Sequence, residues 1–198
     1  QQEVSEVGSY FSIIKAIAAG NHKLSTIAAV LEVKSTNLTK YLKTLMDLDI
    51  LERRVPVTEE NPEKSKRGLY KIKDNYLRFW FAFIYPNMSF IESGHSGIVM
   101  DKIRKGLTTS HIGFVYEDIC QERMWELNVN NAWPFQFSKL GGYWDAKNEI
   151  DIAALDPEGK NLILGECKYW KEPVGLNVLH ALEAKARDVA WERDRRKV

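Results

Sequence analysis

Along the first third of the chain apolar residues recur every three or four positions, and near its end they recur every second one, so helices are expected first and strands later. "SYFSIIKAIAA", residues 9–19, carries Phe11, Ile14, Ile17 and Ala18 at helical spacing, and Gly20-Asn21 supplies a stop. "LSTIAAVLEV" places Ile27, Val30 and Leu31 on one face behind a Ser25 or Thr26 cap and predicts a short second helix ending near Lys34. "STNLTKYLKTLMDLDIL" opens with a Ser35 or Thr36 cap and repeats Leu38, Tyr41, Leu42, Leu45 and Leu48, which leaves Asn37, Thr39, Lys40, Lys43 and Thr44 on the solvent face. "ILERRVPV" and "RGLYKIK" then read as two short strands around "TEENPEKSK", a polar loop with Pro62.

Helix, helix, helix, strand, loop, strand is the order of a winged helix-turn-helix. In that fold the third helix enters a major groove through small polar and basic side chains while the wing touches phosphate. Asn37, Thr39, Lys40 and Lys43 on the third helix, with Arg67 in the wing, are the candidate nucleic-acid contacts. The same charges also fit an ordinary solvated surface, and winged helices serve as protein-binding modules too. Residues 1–73 hold 12 Lys and Arg against 9 Asp and Glu, too small a surplus to decide between the two.

"DNYLRFWFAFIYPN" packs Tyr76, Phe79, Trp80, Phe81, Phe83, Ile84 and Tyr85 into one helix that Pro86 is expected to end. A helix apolar almost all round is buried between elements, so this segment reads as a joint between domains rather than as a base-stacking platform. "IESGHSGIVMDKIRKGL" carries the chain onward. "GFVYEDICQERMWELN" is a helix with Phe114, Ile119, Met124 and Trp125 among its apolar positions and Glu117 near its start. "FSKLGGYWDAKNEIDIAALD" reads as strand, glycine turn and strand, "NLILGECKYW" as a third strand, and "GLNVLHALEAKARDVAWER" as a long helix. Strands flanked by helices give an α+β or α/β core.

Charge is expensive on such strands. Side chains alternate, so Glu149, Asp151, Ala153 and Leu155 are expected to share one face, and Leu162, Leu164, Glu166 and Lys168 one face of the next strand. If Leu155 opposes Leu162 across "DPEGKN", Asp151 falls opposite Glu166, and Glu149 opposite Lys168. Opposed residues have Cβ atoms roughly 4.5–5.5 Å apart, where like charges destabilise a hairpin unless something neutralises them. A divalent cation does so, and carboxylate oxygens suit Mg²⁺ or Mn²⁺. Lys168 then shares the cleft and can hold an attacking water or a phosphate oxygen. The apolar surroundings, Ile150, Ile152, Leu162, Ile163 and Leu164, favour this over a hairpin that simply faces solvent.

An acid on one strand and acid-x-lysine on the next, here "EIDI" and "ECK", resembles the PD-(D/E)xK nucleases. The resemblance implies a restriction-endonuclease-like core and Mg²⁺-dependent hydrolysis of DNA. Asp151, Glu166 and the backbone carbonyl of Cys167 are then metal ligands, Lys168 orients or activates water, and Glu117 in "YEDIC" is an additional acid beside the metal. The order of a winged helix, "YKIKDNYLRFWFAFIYPN" and "FVYEDICQE…EIDIAAL…LILGECKYW" further resembles the C-terminal region of archaeal-type AAA/P-loop ATPases over nearly all 198 residues. That implies two domains, a winged helix with its aromatic connecting helix over 1–90 and a nuclease-like core over 91–198. No GxxxxGK[ST] loop occurs, so ATP would enter only through an upstream P-loop ATPase domain. DNA and that ATPase domain are the implied partners, and a homo-oligomer is left open. The alternative is a non-catalytic DNA- or protein-binding regulatory module that keeps the nuclease-like fold.

Composition adds little beyond this. With 28 Lys+Arg, 27 Asp+Glu and 44% apolar residues, the chain has cores to build and no global charge to steer nucleic acid. Cys120 and Cys167 lack CxxC spacing and fit a reducing compartment, so the cytoplasm is the expected location. His22, His95, His111 and His180 show no zinc-ligand spacing, and no apolar run or signal pattern points to a membrane. The chain lacks an initiator Met and ends at "WERDRRKV", where the superfamily usually adds a strand, so it reads as a fragment with a C-terminally incomplete core.

Overall fold

The structure is a computed structural model that describes residues 2–192. Residues 193–198, where an incomplete core was expected to break off, lie outside the described residues. The chain is a mixed α+β protein with two small antiparallel sheets. It divides into two compact units, one made of Gln1–Arg54 with Gly68–His111 and the other of Val55–Arg67 with Ile112–Val198. The division expected at residue 90 therefore falls elsewhere: residues 91–111 pack within the first unit, and the loop expected as a wing tip packs within the second.

In the first unit three helices, α1 (Gln2–Ala18), α2 (Leu24–Val30) and α3 (Ser35–Asp47), are followed by the hairpin β1 (Leu51–Arg54) and β2 (Leu69–Ile72). Ile13 and Ile17 of α1, Ile27 of α2, Leu38, Leu42 and Leu45 of α3, and Leu51 and Ile72 of the hairpin form one core with Phe81. Gly20 ends α1 with φ +94°, and the Asn21 N–H returns to the Ala16 carbonyl. The expected caps differ. Lys23 and Lys34 occupy the N-cap positions without side-chain caps, and the Thr26 hydroxyl donates to the Lys23 carbonyl instead of accepting. Pro86 does not end the aromatic helix either. α4 (Asn75–Phe79) continues through a wide turn over Trp80–Ile84 and a tight one over Tyr85–Asn87 into α5 (Met88–Glu92), so the proline sits where a tighter turn tolerates it. α6 (Ser96–Leu107) follows.

The second unit contains α7 (Gly113–Val129), the strands β3 (Lys139–Trp144), β4 (Glu149–Leu155) and β5 (Leu162–Gly165) in that spatial order, and α8 (Leu176–Asp188). Met124, Phe137, Ile152 and Ala154 pack on one side of the sheet with Ile163 and Cys167. Tyr143, Ile150, Ala153, Leu155 and Val189 pack on the other with Leu162, Leu164 and Leu182. Residues 55–67 join that second core. Val57 is buried in it and donates to the Gly142 carbonyl at 3.0 Å, and the Trp144 indole donates to the Arg67 carbonyl at 2.9 Å. Gly141-Gly142 is not the expected turn but lies inside β3. The turn is made by Asp145, whose carboxylate accepts the Lys147 and Asn148 N–H groups at 2.7 and 2.8 Å.

Candidate functional site

The expected register holds where the strands pair: Leu155 faces Leu162 and Ile152 faces Gly165. The next step would set Asp151 against Glu166, but β5 stops at Gly165, so Glu166 and Lys168 lie just beyond the strand rather than on it. Pairing is replaced there by a side chain. The Asp151 carboxylate accepts the Cys167 N–H at 2.8 Å, satisfying a backbone donor as the chain leaves the sheet.

Asp151 also sits at a bulge. Gly141 pairs with Ala153 and Tyr143 with Ile150, so two residues of β4, Asp151 and Ile152, stand opposite Gly142 alone. The extra residue flips parity. Ile150 joins Ala153 and Leu155 in one core while Ile152 joins Ala154 in the other, so the single face expected for Glu149, Asp151, Ala153 and Leu155 is broken. Gly142 fits beneath the bulge because a Cβ there would lie 3.3 Å from the Ile150 carbonyl oxygen.

Beyond the bulge the charges gather. Lys168 Nζ is 2.8 Å from Glu166 Oε1 and 3.8 Å from Asp151 Oδ2. Lys185, on α8, places its Nζ 3.1 and 3.2 Å from the two Glu166 oxygens and 2.8 Å from the Glu149 carbonyl oxygen. Glu166 continues the Leu162 and Leu164 side of β5, which α8 covers, whereas Cys167 turns to the α7 side. Burial pushes the Asp151 carboxyl above its ordinary value; the Cys167 N–H opposes this and the Glu166 charge adds to it. Burial pushes Glu166 up as well, but hydrogen bonds from Lys168 and Lys185 outweigh it and hold the group below the ordinary value. For Lys168, burial works against the charge, yet Glu166 and Asp151 keep the ammonium above its ordinary value. Burial and a hydrogen-bonded Cys120 thiol push the Cys167 thiol well up, with charge from Asp151 and Glu117 adding to the effect. Cys167 is therefore a poor nucleophile.

Asp151, Glu166, the Cys167 N–H and Lys168 thus come together. Glu117, on α7, reaches the Cys167 thiol through its charge but does not complete a three-acid group with the other two, because α7 covers the opposite face from α8 and Glu166. Among the described residues no group of three or more His, Cys, Asp or Glu converges as a metal cage. Two carboxylates still fit a hard divalent cation, since Mg²⁺ keeps several waters and takes one or two carboxylates. Asn37, Thr39, Lys40 and Lys43 stand exposed on α3. Arg67, with its side chain 39% exposed, is paired with Glu59 and donates to the Trp144 carbonyl at 3.2 Å, so part of its guanidinium is engaged within its own unit. No motif in the sequence marks Lys185. Its signal was the helical stripe of Leu182, Ala186 and Val189, which face the core and carry Lys185 inward with them.

These features define a mixed α+β chain with an acid-lysine cluster at a bulged strand end. The chain belongs to the DUF234 family, described as archaea bacterial proteins of unknown function, whose model matches residues 80–187 and so spans Glu117, Asp151, Glu166, Lys168 and Lys185. It is similar to "Uncharacterized protein MJECL04" of Methanocaldococcus jannaschii, 41% identical over 170 residues, 86% of this chain and 37% of that protein. The chain thus spans little more than a third of that relative's length. No solved structure matches. Among the described residues no helix is long and apolar enough to cross a membrane.

Proposed function

We propose that the chain is the C-terminal, DNA-associated module of an archaeal-type AAA/P-loop ATPase and that its second unit is a restriction-endonuclease-like core hydrolysing DNA phosphodiester bonds. The observation that carries the reading is the half-buried meeting of Asp151, Glu166 and Lys168, with Lys168 Nζ within 3.8 Å of both carboxylates. Asp151 and Glu166, with the Cys167 carbonyl as a further oxygen, are the residues that would hold Mg²⁺ or Mn²⁺. When bound, such an ion supplies charge neutralisation for the phosphodiester and a more acidic water. Lys168 holds the attacking water or a phosphate oxygen through its ammonium, which its two acid neighbours keep protonated. Asp151 fixes the Cys167 peptide, and with it the position of the ligand segment.

In the first unit the order of three helices and a hairpin supports a winged helix. The exposed Asn37, Thr39, Lys40 and Lys43 on α3 are the surface that meets DNA. ATP enters through a domain upstream, and the greater length of the archaeal relative accommodates one. The test is cleavage of plasmid and single-stranded DNA with Mg²⁺ or Mn²⁺, comparing wild type with Asp151→Ala and Lys168→Ala. Cutting lost in both variants is the expected result. An intact full-length protein that never cuts leaves the non-catalytic regulatory module as the function.

A further inference from the structure

Lys185 makes three polar contacts inside the site, more than Lys168 makes, yet it belongs to neither strand of the acid-lysine hairpin. Its ammonium lies almost equally far from both oxygens of Glu166, at 3.1 and 3.2 Å, and a third contact at 2.8 Å anchors it to the Glu149 carbonyl. Glu166 Oε1 receives Lys168 as well, at 2.8 Å. Two positive charges therefore cover the carboxylate that is proposed to hold a dication. A carboxylate has lone pairs to spare, but two ammoniums at hydrogen-bond distance repel a third cation in a half-buried setting, where Coulomb terms are weakly screened.

Of the two, Lys185 is the one built to exchange. Lys168 is bound to both acids, so a move away from Glu166 leaves it beside Asp151. Among the acids Lys185 hydrogen-bonds Glu166, its charge reaching Asp151 only at longer range, and its other hydrogen bond is to a neutral carbonyl at the rim. Its side chain is 30% exposed, against 25% for Lys168 and 13% for Glu166, so it is the most water-accessible of the three.

We propose, resting on the metal-site reading above, that Lys185 is a positioning residue that serves as an internal counter-ion. It holds Glu166 oriented and neutralised while the site is without a divalent ion, and it lets go of Glu166 to admit one. Lys185 contributes stability to the ion-free protein and weakens divalent-ion affinity by the same coupling, since a group that binds one state of a site opposes any ligand that needs the other.

The test is Mn²⁺ titration of the 198-residue chain, followed by the electron paramagnetic resonance signal of free Mn²⁺. Wild type, Lys185→Met, Lys185→Arg and Asp151→Asn are compared, and circular dichroism checks that each is folded. Lys185→Met keeps the aliphatic stem and removes the charge, and it is expected to bind Mn²⁺ about tenfold more tightly, roughly 1.4 kcal/mol. Lys185→Arg, which keeps the charge, is expected to stay near wild type, and Asp151→Asn to lose binding. Equal or weaker affinity in Lys185→Met beside a binding wild type overturns the counter-ion role. Absence of Mn²⁺ binding in wild type and Lys185→Met alike overturns the metal-site reading itself. If Lys185→Met is misfolded, Lys185→Gln takes its place with the same expectation.

Discussion

Two lysine-carboxylate pairs of nearly the same length stand in different surroundings in the two units. Lys73 meets Asp49 at 2.6 Å in the first unit, with side chains 51% and 78% exposed; Lys168 meets Glu166 at 2.8 Å in the second, with side chains 25% and 13% exposed. Distance alone would rank them alike. Exposure separates them, because water screens the first pair and competes for it, whereas the second has given up much of its hydration and depends on its partners. The first unit builds its core from aliphatic side chains and Phe81. The second carries two acids and two lysines to the edge of its sheet.

The largest effect that breaks this contrast is in the aliphatic core. Leu42 is 1% exposed between α1, α2 and the hairpin, so Leu42→Ala should cost about 2–5 kcal/mol in urea unfolding. Mn²⁺ binding should survive at temperatures where the variant is folded, because the acid-lysine cluster is formed entirely by residues of the second unit.

Next is Glu166→Ala, which leaves the Lys168 and Lys185 ammoniums without the carboxylate that both contact. Unpaired half-buried charge is costlier than a lost surface pair, and the melting temperature should fall by about 4–8 °C, roughly 2 kcal/mol for a chain of this size. A fall no larger than that of an exposed-pair variant would remove the distinction between the two pairs.

Asp151→Asn should go the other way. The amide oxygen can still accept the Cys167 N–H, while the burial and the Glu166 charge that raise the Asp151 carboxyl no longer act. The expected gain is about 1 kcal/mol near neutral pH, measured as a rise of about 2–4 °C, together with loss of Mn²⁺ binding. The sign follows from proton linkage. The folded value lies above the ordinary 3.8, so the folded state binds more protons and wild-type stability falls as pH rises through that window. Below 3.8, where Asp151 is protonated folded or unfolded, the advantage of Asn should vanish. A constant advantage across that window would assign the gain to something other than charge.

Legibility in the sequence followed the same division. Leu38, Leu42 and Leu45 repeat at helical spacing and are all buried, and Leu155 faces Leu162, the register assumed for the loop between them. Local periodicity suffices where one period runs unbroken. It failed at the site because the period changes there: a bulge at Asp151 and Ile152 adds a residue, and β5 ends before Glu166. Gly141-Gly142 looked like a turn because glycine serves turns and bulged strands equally, and only the strand opposite shows which is meant. Lys185 was missed because its partner lies nineteen positions earlier, and no local pattern pairs a helical lysine with a given carboxylate.

The smallest effect is the one that makes the contrast quantitative. In a double-mutant cycle, Lys73→Met and Asp49→Asn should each leave the melting temperature where it was, with a coupling that is zero within error and stays zero in added salt. Asp49 raises the Lys73 ammonium above its ordinary value through a hydrogen bond, but an attraction between exposed groups is offset by the water it displaces and the side-chain freedom it freezes. The matching cycle on Lys185 and Glu166 should give a coupling well outside error that weakens little with salt, because those charges are screened by protein rather than by solvent. Equal couplings in the two cycles would mean that burial at the bulged sheet edge does not strengthen its ion pairs, and the case for a charge cluster poised to exchange a lysine for a metal ion would lose its physical basis.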